Sequence, residues 1–251
     1  MRIRLLALAF ALSVTPAISQ ETDKTAIDKA GIEKIVREYL LANPELLFEM
    51  QTAYEAKQKA DQAAQVQAVL AERRDEVFAS PFQTEIGNPD ADVTVVEFFD
   101  YNCSYCARAL EDMNALLADD PNLKFVLKEV PIIRPESVGA HRVSLAVYEL
   151  APEKYADFHR RFFAVDGIKT DQAGLAIAVE LGLDADAVRK AANADEVTDA
   201  FREGTDLAEA LGVTGTPSYV VGNEVVFGAL GRDVLRSKIE AMRECGKTVC
   251  S

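Results

Sequence analysis

The 251-residue chain has no tryptophan, only two histidines and only four cysteines. Two histidines and one tight cysteine pair make a poor ligand set for zinc, so no metal site is expected. Four cysteines are too few for a disulfide scaffold and too many to ignore. No apolar run reaches the roughly 20 residues that span a bilayer. Positive charge is scarce as well, with 27 Lys and Arg against 41 Asp and Glu and a net charge of −14. A general nucleic-acid binder needs a basic face to neutralise phosphates, so nucleic acid is excluded as a partner. What the chain does have is 49% hydrophobic and 27% charged residues. That is enough apolar content for a real core, and it rules out a disordered chain.

Residues 1–19 have the order of a secretory signal peptide. Arg2 and Arg4 give a positive start, Leu5 to Val14 an apolar run, and Ala17-Ile18-Ser19 a small-x-small cleavage pattern. Export, to a bacterial periplasm, is therefore expected, and there a cysteine pair can be oxidised. Residues 20–81 read as a helical arm. Ile32, Ile35, Val36, Tyr39 and Leu40 recur at helical spacing. Asn43-Pro44-Glu45 predicts a break and a new start, with Asn43 as the N-cap. A second helix is predicted from Pro44 to near Phe78, with a thin apolar stripe of Leu46, Met50, Ala53, Ala60, Ala63 and Leu70. Isolated helices are marginal in water, so an oligomerisation stalk is the favoured reading, beside an arm packed on its own domain or a mobile tether.

After Ser80-Pro81 the pattern becomes α/β, and residues 82–251 read as one catalytic domain. Val93 to Phe99 suits a buried central strand, and a helix is predicted from about Cys103 through Ala118. Leu123 to Val130 is a second strand. Ser137 to Leu211 is almost all helical pattern, broken near Ala151-Pro152, Asp166-Gly167 and Gly182. Ser218 to Val221 and Glu224 to Phe227 flank Gly222-Asn223, a hairpin signal, and Arg232 to Glu244 reads as a closing helix.

Cys103-Ser104-Tyr105-Cys106 falls just beyond a buried strand, at a helix N-terminus. Cysteines at this spacing on a first helical turn can close a small disulfide without moving the backbone. The unpaired amides and dipole of the helix end favour a thiolate on the first of them. Cys103 is thus expected to be an exposed, low-pKa nucleophile and Cys106 a more buried resolving thiol. A structural disulfide or half a zinc site is the plainer alternative. Glu97 sits on an otherwise apolar strand, where poor solvation raises a carboxyl's pKa and fits it to shuttle protons to Cys106.

Glu97-Phe98-Phe99-Asp100-Tyr101-Asn102-Cys103-Ser104-Tyr105-Cys106 and Gly212-Val213-Thr214-Gly215-Thr216-Pro217 resemble the two signatures of DsbA-type thiol-disulfide oxidoreductases. The resemblance covers roughly residues 82–244. It implies a thioredoxin fold with a helical insertion, here about residues 135–211. With its N-terminal arm the chain is similar to the ScsC-like group (suppressor of copper sensitivity), which implies a homotrimer. It also implies that Pro217 is the cis proline beside the active disulfide, with Thr216 free to pair with a substrate peptide. Glu97 corresponds to the family's buried acid. Lys128 corresponds to its nearby lysine and a possible proton relay, or is simply an outward-facing strand residue. No cofactor is implied beyond a redox-active Cys103–Cys106 disulfide.

Three features depart from the strongest oxidases of this class. Ser104-Tyr105 replaces their Pro-His, whose histidine stabilises the thiolate. Thr216 stands where they have valine, and the arm is additional. Together these favour isomerisation or reduction of exported cysteine-containing proteins, with Ser104, Tyr105 and Thr216 contacting substrate and a membrane thiol-disulfide reductase or oxidase as redox partner. A monomeric dithiol oxidase and a copper-binding or chaperone protein are the alternatives. Tyr101, Tyr105 and Tyr219 add apolar surface near the site or pack as ordinary core. Cys245 and Cys250 are expected to form a local structural disulfide, with a second redox pair or a copper-binding dithiol as the other reading. His141 and His159 read as surface or packing residues rather than ligands.

Overall fold

The computed structural model describes residues 29–250, so the expected signal segment 1–19 lies outside the described residues. Helix α1 (Lys29–Ala42) has its apolar side chains at helical spacing, yet none of its residues is buried. Asn43 ends it, because its side-chain amide donates to the Tyr39 carbonyl at 2.8 Å. Asn43 therefore closes the first helix, where an N-cap of the next was expected. Helix α2 (Leu46–Glu72) follows, and the chain divides between Ala56 and Lys57 into two compact units. The division falls earlier than the expected boundary at residue 81.

The reason lies in α2 and the short α3 (Arg74–Phe78). The expected single helix to Phe78 breaks at Arg73, whose guanidinium turns to Glu76 at 2.5 Å. Val66, Leu70 and Val77 are buried against Val96, Phe98 and Val126 of the sheet, so this stretch belongs to the second unit.

That sheet has five strands in the order β1-β3-β2-β4-β5. They are β1 (Thr84–Gly87), β2 (Val93–Phe99), β3 (Leu123–Glu129), β4 (Ser218–Val221) and β5 (Glu224–Phe227). β2 and β3 run parallel, joined by α4 (Ser104–Asp119). The edge pairings β1–β3 and β4–β5, and the β2–β4 pairing, are antiparallel. β2 is buried on both faces, which accounts for its continuous apolar sequence. Gly222 turns the β4–β5 hairpin at a φ of 56°, which favours glycine.

The two faces of the sheet carry different cores. Val93, Val95 and Phe99 point to α4, the insertion helices and the closing helix α10 (Arg232–Cys245). Val96 and Phe98, one residue out of phase, point to α2, α3 and a helix of the insertion, Asp195–Ala210. The insertion between β3 and β4 comprises α5 (Pro135–Leu150), α6 (Pro152–Phe163), α7 (Asp171–Glu180), α8 (Ala185–Ala192) and α9 (Asp195–Ala210). The sequence had not marked the α8–α9 break, which has neither glycine nor proline. Among the described residues, no helix is long and apolar enough to cross a membrane.

Candidate active site

Cys103 is the N-cap residue of α4, held there as its N–H donates to the Asp100 carbonyl at 3.0 Å. Its side chain is only 6% exposed, against the exposed thiol expected. The Thr216 backbone lies over it, and the Cys103 thiol donates to the Thr216 carbonyl at 3.1 Å. The Thr216–Pro217 peptide is cis and Pro217 is buried. Ser104 and Tyr105 face outward, with the Arg108 guanidinium 4.3 Å from the Tyr105 ring centre. Tyr101 and Tyr219 are buried core residues.

The two cysteines, both free thiols, differ sharply in acidity. A hydrogen bond from the Cys106 thiol, a further one from Thr216 and the α4 backbone amides outweigh burial and bring Cys103 down to about 5. Burial, the bond to Cys103 and the nearby Glu97 push Cys106 far up. The arrangement thus suits a thiolate at Cys103 and a proton held on Cys106 at neutral pH. Among the described residues, the Thr216 hydroxyl is buried without a partner while Cys103 is a thiol, and a thiolate supplies the missing acceptor. Thr216→Val is accordingly expected to raise the Cys103 pKa by about one unit, read from the ultraviolet absorbance of the thiolate against pH. An unchanged pKa would remove Thr216 from this account.

Glu97 shares its strand face with Val95 and Phe99 and so points toward α4, between Leu127 and Tyr219 on the neighbouring strands. It is buried, and desolvation, with the charges of Cys103 and Asp112, pushes its carboxyl up to about 8. Lys128 does not join it. Lys128 pairs with Phe98 in the register and therefore lies on the opposite face. There its ammonium donates to Glu203 at 2.9 Å and to the Glu76 carbonyl at 2.6 Å. A proton relay from Lys128 to Glu97 would have to cross the sheet, so that expectation is withdrawn. It is not outward-facing either, being buried.

A buried polar cluster under the Cys103 turn was not legible in the sequence. His141 is completely buried between Glu129, bonded to Nδ1, and Asp100, whose Oδ1 lies 3.6 Å from Nε2. Burial pushes His141 down, but the Glu129 charge and bonds to both carboxylates outweigh it and hold the ring charged up to about 9. The Tyr101 N–H is 3.2 Å from Nε2, a contact that a neutral ring would accept. Two flanking carboxylates favour the charged ring, with its Nε2 proton turned to Asp100. Asp100 also accepts from the Asn102 and Ile133 amides and from the Ser137 hydroxyl. Tyr101 bonds His159 at 2.8 Å, and burial together with the His141 charge brings His159 down to about 3.

His141 thus packs, and its packing is electrostatic. His141→Leu leaves two buried acids without a cation and should destabilise the protein by about 3 kcal/mol or more. Because the folded pKa is raised, the stabilisation from His141 is complete below about pH 6.5 and is lost as pH rises through about 9. Denaturant titrations of both proteins across that window would show the gap closing, and a constant gap would refute the charged ring.

At the far end of the domain, Cys245 and Cys250 are disulfide-bonded, closing the end of α10. Among the described residues there is no cluster of three or more His, Cys, Asp or Glu side chains suited to a metal ion.

Comparison with known proteins matches the same regions. Residues 94–240 match the DSBA-like thioredoxin domain family, and residues 28–61 match the family described as copper resistance protein ScsC N-terminal domain. A thioredoxin-like oxidoreductase from Silicibacter pomeroyi is 38% identical, with a TM-score of 0.65 over 68% of this chain and 98% of that one. The thiol-disulfide exchange protein alpha-DsbA2 from Wolbachia pipientis is 29% identical, with a TM-score of 0.67 over 72% of this chain and 98% of that one. Similarity also extends to the Na(+)/H(+) antiporter NhaA 1 of Salinispora arenicola, 27% identical over 61% of this chain. The chain spans only 24% of that antiporter's length. The first family match alone covers more than half of the sequence and contains the cysteine pair, the buried acid and the cis proline, and the chain belongs to the DsbA-like thioredoxin family.

Proposed function

We propose that the protein is a periplasmic thiol-disulfide oxidoreductase working as a disulfide isomerase or reductase of exported proteins. The Cys103 thiolate attacks one sulfur of a substrate disulfide. A Cys103–substrate disulfide forms and the other substrate sulfur leaves as a thiolate. In isomerisation, a second substrate thiolate attacks the substrate sulfur and Cys103 leaves as a thiolate again. In reduction, Cys106 gives its proton to Glu97 and attacks Cys103, releasing reduced substrate and leaving the Cys103–Cys106 disulfide. A membrane thiol-disulfide reductase then returns both thiols, and no other cofactor takes part. The Thr216 backbone beside Pro217 aligns the substrate strand, and Ser104 and Tyr105 border it.

The observation that carries the isomerase reading is the apolar surface exposed on residues 29–56. Ile35, Tyr39, Leu41, Leu47, Phe48 and Met50 are all exposed. Large apolar side chains left exposed in such number mark an association site. The match of residues 28–61 to the ScsC N-terminal family supports assembly of copies through it, as a homotrimer. Several Cys103 sites around one space raise the local concentration of attacking thiolate on a held substrate. The reading is tested by the solution mass and by refolding of a disulfide-scrambled protein with the reduced chain. A trimer that restores native pairing is expected. A monomer that oxidises thiols quickly and shuffles disulfides poorly would instead be a dithiol oxidase.

A further inference from the structure

Beside Cys103 lies a cleft of about 330 Å³ with three walls that are distant in sequence. One is the Tyr101–Ala107 turn, one is Arg134, and one is the loop Gly167-Ile168-Lys169. That loop is held in place by the residue next to the nucleophile. The Asn102 side chain accepts from the Lys169 N–H at 2.8 Å and donates to the Lys169 carbonyl at 3.0 Å. A side chain that satisfies both backbone groups of one residue fixes the loop to the Cys103 turn.

The charge of this cleft is opposite to that of the chain. Acids outnumber bases 41 to 27 overall, yet the ionisable side chains lining the cleft, apart from Tyr101 and Cys103 itself, are Arg134 and Lys169. Glu136, Asp166 and Asp171 are near in sequence but do not line it. Arg134 makes no ion pair among the described residues, and the Lys169 ammonium has only the Gly167 carbonyl, at 3.2 Å. Ile168, 47% exposed, adds an apolar edge to the same cleft. Two uncommitted cations and an exposed isoleucine beside a nucleophilic sulfur match a substrate segment with an acidic side chain near its reacting cysteine.

We propose that Arg134 and Lys169 form a specificity subsite that selects exported substrates carrying an aspartate or glutamate beside the target disulfide. The subsite rests on the reading that Cys103 attacks substrate disulfides, and it names which ones. Without the two cations such a carboxylate would be repelled by the Cys103 thiolate. With them the repulsion is offset at short range, where salt screens least.

The test uses the full reduced chain and three peptides that differ only in the residue beside one cysteine, Asp, Asn or Lys. Each peptide carries its cysteine as a mixed disulfide with 2-thiopyridine, and stopped-flow release of 2-thiopyridone reports attack by Cys103. The Asp peptide is expected to react about tenfold faster than the Lys peptide at low ionic strength, with Asn between them and the spread narrowing as salt is added. In the double variant Arg134→Glu, Lys169→Glu the order should reverse. A change in the reactivity of Cys103 itself scales all three rates together and leaves their ratios, so the ratio reads the subsite alone. Equal rates in the wild type, or an order that survives the double variant, would overturn the subsite. Failure to attack even the Asn peptide would overturn the nucleophilic reading of Cys103, and the subsite with it.

Discussion

Glu97→Gln is expected to stabilise the protein at neutral pH while slowing its release of reduced substrate. The carboxyl is buried and held at about 8 against an ordinary 4.5, so the folded state keeps a proton that the unfolded state gives up. Stability from this group is therefore full below about pH 4.5 and is lost as pH rises toward 8. At pH 7 the loss is on the order of 3 kcal/mol, and an uncharged glutamine escapes most of it. Denaturant titrations should give an advantage for the variant that grows from pH 5 to pH 8, and a flat difference would sink the argument. The kinetic effect runs the other way. Cys106 holds its proton tightly and must lose it before it can attack the Cys103–substrate disulfide. Glu97, whose charge raises Cys106 and whose own carboxyl titrates at about 8, is the base proposed to take that proton. Positioned bases contribute on the order of a hundredfold, so resolution of a preformed mixed disulfide should slow by about that factor. A variant that was more stable and resolved just as fast would leave Glu97 without a catalytic role.

Residues whose environment is set locally were the legible ones. The nearly continuous apolar run Val93–Phe99 suits a strand buried on both faces, and the cysteine pair after it falls at a helix start. Gly222-Asn223 between two short apolar runs gave the hairpin at its observed bounds. The misread positions are those fixed by distant partners. β1 has a single apolar side chain, Ile86, and exists because its backbone pairs antiparallel with β3. The face of Lys128 follows from its register against Phe98, which strand alternation cannot supply until the pairing is known. Glu129 ends an apolar strand and belongs to no sequence motif, because its role comes from His141 and Ser144, contributed by α5. Asn102 looked like part of a motif, but its two bonds reach a loop 67 residues away.

The same distinction decides where the arm can be cut. A chain starting at Lys57 keeps the whole second compact unit and should fold. A chain starting at Phe82, the domain boundary expected from the sequence, also loses Val66, Leu70 and Val77 and uncovers Val96, Phe98 and Val126. Each such apolar side chain contributes about 1.5–3 kcal/mol when buried, and together they approach the whole stability of a typical domain. That version is expected to unfold or aggregate, so its inactivity would say nothing about assembly. The Lys57 version is the informative one. It should sediment as a monomer, attack the Asn peptide at the full-length rate, and restore scrambled disulfides at least tenfold more slowly, because one site no longer has neighbours at high effective concentration. If it shuffles disulfides as well as the full chain, the exposed apolar face of residues 29–56 serves some purpose other than isomerisation. The Cys103, Cys106 and Glu97 chemistry would then suffice in a single copy.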